Sequence, residues 1–281
     1  MIASSCRGAT TAEVRAEPWL VPCVASDLDG TIVHSRPDRP GLLVVETYEG
    51  RDIGFVTHET WAALARLQTV AEFIPATARV VRQYRRLRFP QDPRYAVVEA
   101  GARLLVDGAV HDGWDAEVRQ IVDRADVSQD AVAARFAMLD LAEPVRTGDV
   151  ALVYAKLVAG STECEFADWC RERGWVVTRQ SERVYALPAG VDKAHAVAFA
   201  VHEAGGRLIA TAGDGRMDEG LLRVADRAYT LLDGPLWASG IRAGTPVPGT
   251  GTQSAEQIVT ALLAAVEDST EATNRGDWKP S

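Results

Sequence analysis

Two short apolar runs, residues 21–25 and 208–212, each end in an acidic, glycine-containing turn. The first runs into Asp27-Leu28-Asp29-Gly30-Thr31, the second into Gly213-Asp214-Gly215-Arg216-Met217-Asp218. Uninterrupted apolar runs of this length read as strands buried on both faces, as in a parallel sheet. Helical patterns alternate with such runs at both ends of the chain, over residues 57–67, 192–203, 219–224 and 254–263. That alternation predicts an α/β fold with a parallel sheet. Ligands of an open α/β sheet bind outside the carboxyl ends of its strands. Acidic turns at two such ends therefore mark a candidate site, although an Asp-Gly pair alone is also an ordinary turn.

Between these ends the texture changes. Residues 42–56 read as a hairpin turning at Glu49-Gly50, and 102–110 as another turning at Asp107-Gly108. Residues 72–75 and 95–99 read as further strands, and 79–87 as a helix. From 113 to 187 helical stretches and strands alternate without the long apolar runs, which predicts a smaller α+β insert. The expected organisation is an extension over 1–19, a core over 20–112 and 188–266, the insert over 113–187, and a polar, frayed tail over 267–281. Thr162-x-x-Glu165 and Ser254-x-x-Gln257 read as capping boxes of two helices.

Composition excludes several classes. The 281 residues suffice for one large domain or two small ones, with a sizeable core. A formal net charge of −9 gives no field that would gather nucleic-acid phosphates. No apolar run reaches membrane-spanning length. Residues 1–17 lack a basic start followed by an apolar stretch, so no secretory signal is expected and the cytoplasm is the expected compartment. The four cysteines, Cys6, Cys23, Cys164 and Cys170, have neither zinc-site nor disulfide-framework spacing.

Four segments carry candidate chemistry. Asp27 and Asp29 stand two apart, so one can attack while the other handles a proton, and Gly30 permits the tight turn. Thr77 follows the second strand, where its hydroxyl can bind a phosphate oxygen or cap a helix. Lys193 begins a helix, a position the macrodipole disfavours for a cation; it either faces an anionic site or is a solvated surface lysine. Asp214 and Asp218 bring more carboxylate oxygens, a donor set that suits Mg²⁺. Arg79, Arg82 and Arg86 share a helical face, read as solvated, with Arg79 near enough to Thr77 to hold an anion.

The order Asp-x-Asp-Gly-Thr, Thr, Lys, Gly-Asp-Gly-x-x-Asp resembles the four motifs of the haloacid dehalogenase superfamily. The insert resembles the type II cap of its sucrose-phosphatase-like and Cof-like branches, as does the approach Arg183-Val-Tyr-Ala-Leu-Pro-Ala-Gly-Val-Asp-Lys193. A looser likeness, through residues 73–86 and Val184-Tyr185, is to actinobacterial hydrolases of tellurite-resistance-type stress operons. The resemblance implies a Rossmann-like core with an inserted cap and hydrolysis of a small phosphorylated metabolite such as a sugar or polyol phosphate. Asp27 would be the nucleophile and Asp29 the acid and base. Thr77, Lys193 and Asp218 would assist. Gly30, Thr31, Thr77, Ala78, Arg79 and Lys193 would receive the substrate. Mg²⁺ would sit on Asp27, the Asp29 carbonyl and Asp214. Two positions depart from the branch pattern: Ala100 and Met217 stand where asparagine is usual. A phosphosugar mutase and a non-catalytic phosphosugar-binding regulator use the same fold and stay open as alternatives. Oligomeric state has no sequence signal.

Overall fold

The computed structural model describes residues 20–275, with side chains through 272. The expected N-terminal extension and Cys6 lie outside this range. The chain begins with strand β1 (Val21–Ser26), the hairpin β2 (Leu43–Tyr48) and β3 (Arg51–Val56), helix α1 (His58–Val70) and strand β4 (Glu72–Pro75). A short helix α2 (Val81–Tyr84) precedes β5 (Tyr95–Val98), β6 (Arg103–Val106) and β7 (Ala109–Val110). The middle comprises α3 (Asp112–Val122), α4 (Gln129–Phe136), β8 (Arg146–Thr147), β9 (Val153–Lys156), α5 (Cys164–Arg171), β10 (Trp175–Gln180) and β11 (Arg183–Pro188). The chain then forms α6 (Lys193–Glu203), β12 (Gly206–Ala212), α7 (Glu219–Arg223), β13 (Arg227–Leu231), α8 (Pro235–Ala238), β14 (Thr245–Val247) and α9 (Thr252–Arg275).

Five strands make a parallel sheet in the order β14-β13-β12-β1-β4. The alternation of side chains along β1 shows how it is covered. Val24 packs into the apolar layer that contains Leu64 and Leu67 of α1 and Ile258 and Leu262 of α9. Cys23 and Ala25 pack into the opposite layer, with Ala196, Val197 and Ala200 of α6. Both faces being buried explains why these strands read as continuous apolar runs. β5 joins the sheet edge through a single parallel bridge, Ala76 to Val97, and otherwise pairs antiparallel with β6.

A second sheet, β10-β11-β9-β8, is antiparallel. It has its own apolar cluster, built on Phe136 of α4, Phe166 of α5 and Trp175 of β10, with the two phenylalanine rings 4.6 Å apart. Helix α3 packs elsewhere: Trp114 lies against Phe199 and His195 of α6, and its indole donates to the Gly101 carbonyl (2.9 Å). Both hairpin turns form where expected, with Glu49-Gly50 and Asp107-Gly108 in left-handed backbone.

Several expectations differ from the structure. The 79–87 helix shrinks to one turn, because the backbone after Thr77 is committed to β5 through Glu99 N–H to the Arg79 carbonyl (2.8 Å). Thr162 caps no box: its hydroxyl accepts from Cys164 N–H, and α5 starts from Glu163 without a side-chain cap. Helix α9 starts two residues before Ser254, because the distant Asp38 carboxylate accepts from Thr252 N–H (2.8 Å). It also continues past 266 to Arg275, held by Arg66–Glu267 (2.5 Å) and Arg227–Asp268 (2.7 Å). Strands β8 and β14 and helix α8, with no apolar period of their own, were not anticipated. Among the described residues the cysteines are free, and no helix is long and apolar enough to cross a membrane.

Where β5 ends, Glu99 is fully buried, with one carboxylate oxygen accepting from Asp149 N–H (3.0 Å) and the other unpartnered. Burial, then the nearby Asp149 charge, raises its pKa from 4.5 to about 7. The folded chain therefore holds this proton between those pH values while the unfolded chain releases it, so stability falls as pH rises through the window. Glu99→Gln is expected to stabilise the protein at pH 8 by on the order of 1–2 kcal/mol, with the gain vanishing below about pH 4.5. Thermal melts of both proteins across pH check this; a gain that does not depend on pH would contradict it.

Candidate active site

The parallel register brings the motif residues together. Ser26 pairs with Ala212 on one side and Pro75 on the other, so the chain leaves β1, β12 and β4 at one level of the sheet edge. Asp27 N–H donates to the Ala212 carbonyl (2.9 Å), and Ala76 N–H to the Ser26 carbonyl (2.8 Å). Asp27, Thr77 and Asp214 consequently stand on adjacent turns.

Lys193 crosses to this edge from the opposite layer. Asp192 caps α6, accepting from His195 N–H (2.8 Å), and the next side chain turns inward, 3% exposed. The ammonium donates to Asp27 Oδ1 (2.5 Å) and to Asp218 Oδ1 (2.6 Å). The solvated-lysine reading therefore does not hold. Asp218 uses its other oxygen to accept from Gly215 N–H (2.9 Å), which fixes the turn that also carries Asp214. Thr31 places its hydroxyl between Asp27 Oδ2 (3.4 Å) and Asp214 Oδ1 (3.3 Å). Gly30 has φ +86°, and a Cβ there would lie 2.6 Å from Asp214 Oδ2. Only glycine allows this backbone to pass so close to the carboxylate.

Three carboxylates, Asp27, Asp214 and Asp218, have oxygens within 4.8 Å of one another, all buried. One ammonium balances them, which leaves an excess of two negative charges if all are ionised. The pKa directions follow. Burial raises Asp27 well above the usual carboxylate range, against the pull of Lys193. Burial and then Asp218 push Asp214 up to about 7. Burial alone would lower Lys193, but Asp218 and Asp27 outweigh it and raise it, so the ammonium stays charged. A compact cluster of hard oxygen donors with excess negative charge fits a divalent cation such as Mg²⁺.

Thr77 is fully buried and its hydroxyl accepts from Arg79 N–H (3.2 Å), which leaves its own proton to donate. It does not cap a helix, since α2 begins at Val81. Ala78 is half-buried beside it. The Asp29 carboxylate stands apart from the cluster, 50% exposed, paired with Arg79 (2.6 Å). Arg79 is not part of a solvated basic face. Its guanidinium is occupied by Asp29 and by Glu46 of the β2–β3 hairpin. Glu46 was missed, because nothing in Leu43-Val44-Val45-Glu46-Thr47-Tyr48 signals that its side chain turns inward.

A cavity of about 390 Å³ adjoins Lys193, between Ala100 and Met217 on one side and Val176, Thr178 and Tyr185 of the antiparallel sheet on the other. The two positions that lack the usual asparagine thus line the same space. Its walls include none of the clustered carboxylates.

No family model matches the sequence, and no curated protein does. Solved structures do. The sucrose-phosphatase from Synechocystis sp. PCC6803, in complex with sucrose and phosphate, matches with TM-score 0.62 at 13% identity, over 86% of this chain and 98% of that one. The subclass IIB sugar phosphatase BT4131 matches with TM-score 0.58 at 16% identity, over 86% and 98%. The chain has the fold of the haloacid dehalogenase phosphatases. BT1666 from Bacteroides thetaiotaomicron, described among phosphatases of that superfamily, matches with TM-score 0.55 at 13% identity, over 90% of this chain and 99% of its own. The parallel sheet corresponds to the expected haloacid dehalogenase core and the antiparallel sheet to its inserted cap.

Proposed function

We propose that this protein is a Mg²⁺-dependent phosphatase that hydrolyses a small phosphorylated metabolite, a sugar or polyol phosphate, through an aspartyl-phosphate. The observation that carries the reading is the buried Asp27–Lys193–Asp218–Asp214 cluster at the carboxyl edge of the sheet. The sugar class is supported by the neighbours of this fold that are named as a sucrose-phosphatase and a sugar phosphatase.

Asp27 Oδ attacks phosphorus and the ester P–O bond breaks. Asp29 gives its proton to the departing alkoxide, which leaves as the alcohol. Asp29, now a carboxylate, takes a proton from water as that water attacks the acyl-phosphate, releasing inorganic phosphate and restoring Asp27. Thr77 donates its hydroxyl proton to a transferring oxygen, and Lys193 holds Asp27 and neutralises developing charge. Asp27, Asp214 and the Asp29 carbonyl would hold Mg²⁺, with Asp218 steadying Lys193. The cation would screen the excess carboxylate charge so that an anionic phosphoryl group can approach. We assign residues 113–187 to a cap that admits small substrates, with the cavity beside Lys193 seating part of the leaving group.

The test is phosphate release from a panel of sugar, polyol and nucleotide monophosphates, with Mg²⁺ and with chelator. Metal-dependent release from sugar or polyol phosphates is the expected result. Phosphate moved within a sugar rather than released would indicate a mutase, and binding without turnover would indicate a regulator.

A further inference from the structure

The β2–β3 hairpin buries a carboxylate beside a break in its ladder. Val45 and Glu46 are consecutive, yet they are only 2% and 1% exposed. Successive side chains of a strand point to opposite faces, and here the ladder is irregular. Val44 pairs with Phe55 and Glu46 with Gly54, which leaves Val45 as the extra residue of a β-bulge. Opposite it, a Cβ on Gly54 would lie 2.8 Å from Glu46 Cβ. The bulge and the glycine together turn Glu46 inward.

There Glu46 meets two arginines. Its Oε2 accepts from Arg79 Nη1 (2.6 Å) and its Oε1 from Arg86 Nε (2.8 Å). Arg86 is itself held over the Tyr48 ring, 4.4 Å from its centroid, on the same hairpin. Arg79 gives its remaining edge to Asp29, Nε to Oδ2 (2.7 Å) and Nη2 to Oδ1 (2.6 Å). A guanidinium is a rigid planar fork, so fixing one edge orients the other. Asp29 is half exposed and would otherwise have several rotamers open to it. The bonds to Asp29 and Glu46 use three of the five N–H donors of Arg79.

We propose that Glu46 is a positioning residue that acts through Arg79 to fix the Asp29 carboxylate for proton transfer. This rests on the phosphatase reading above. An alkyl phosphate needs a proton on its leaving oxygen as the P–O bond breaks, whereas an aryl phosphate with an acidic phenol expels its phenolate without one. Loss of Asp29 orientation therefore penalises phosphoryl transfer to Asp27, the step that kcat/KM reports, selectively for the alkyl substrate, while the water step that Asp29 also serves is common to both substrates.

The test compares kcat/KM of the Mg²⁺-loaded wild type, Glu46→Gln and Arg79→Lys on an alkyl and an activated aryl phosphate. Both variants are expected to lose about 10- to 100-fold on the alkyl phosphate, a part of what a general acid contributes. The loss on the aryl phosphate is expected to stay within about 3-fold, and the alkyl loss to fall on kcat rather than KM. Arg79→Lys keeps the charge and removes the fork, so it carries the test if Glu46→Gln fails to fold. Equal losses on both substrates, or a change confined to KM, overturn the positioning role while the wild type remains a phosphatase. A folded wild type that releases phosphate from neither substrate overturns the phosphatase reading, and the positioning role with it.

Discussion

Asp27→Asn is expected to lower turnover by at least about 10³-fold while leaving the protein at least as stable as the wild type. The two effects have one origin. Asp27 is 5% exposed, and burial and the neighbouring carboxylates hold its pKa high. An isosteric amide removes that penalty and still accepts from Lys193, which keeps Asp218 as its charged partner. The amide oxygen is a poor nucleophile towards phosphorus, so no acyl-phosphate forms. Phosphate release and a thermal melt of the same preparation check both halves. A variant that loses both activity and fold would point to a structural role for Asp27; one that keeps substantial activity would remove it as nucleophile.

Lys193→Met has the opposite balance, with activity and stability lost together. The ammonium is the only cation hydrogen-bonded to the carboxylate cluster among the described residues, at 2.5 Å from Asp27 and 2.6 Å from Asp218. Its removal leaves three buried carboxylates uncompensated. Breaking one side of a buried ion pair costs about 3–5 kcal/mol. The loss depends on pH in a definite direction. Without the ammonium, the folded-state pKa values of Asp27 and Asp214 rise further above their unfolded values. The folded variant then binds more protons than the unfolded chain, so its stability falls as pH rises. Mg²⁺ would supply positive charge to the same carboxylates, so it is expected to raise the melting temperature of the variant, more at pH 8 than at pH 6, where protons compete. Melts at both pH values, with Mg²⁺ and with chelator, check this. A variant as stable as the wild type at pH 8 without metal would contradict the charge balance drawn for the site.

The site was legible where local sequence sets local structure. Asp27 and Asp214 follow apolar runs that read as buried strands, and Gly30 marks a turn. Lys193 announced itself as a cation at the wrong end of a helix. Glu46 was not legible, because its burial comes from a ladder irregularity between two strands, and nothing in Val44-Val45-Glu46 reveals the register. The same limit hid the start of α9, which Asp38 sets from more than two hundred residues away. Arg79 read as part of a solvated stripe because its partners, Asp29 and Glu46, come from two other segments. In each case the missing information was a long-range contact.

The measurement closest to the central claim is chemical trapping of the intermediate. The protein would be mixed with Mg²⁺ and a substrate identified from the panel, quenched in acid and reduced with borohydride, which converts an acyl-phosphate of aspartate to homoserine. The account predicts homoserine at position 27 and at no other acidic residue. Homoserine elsewhere, or none in a protein that is turning over, would contradict Asp27 as the residue that takes the phosphoryl group.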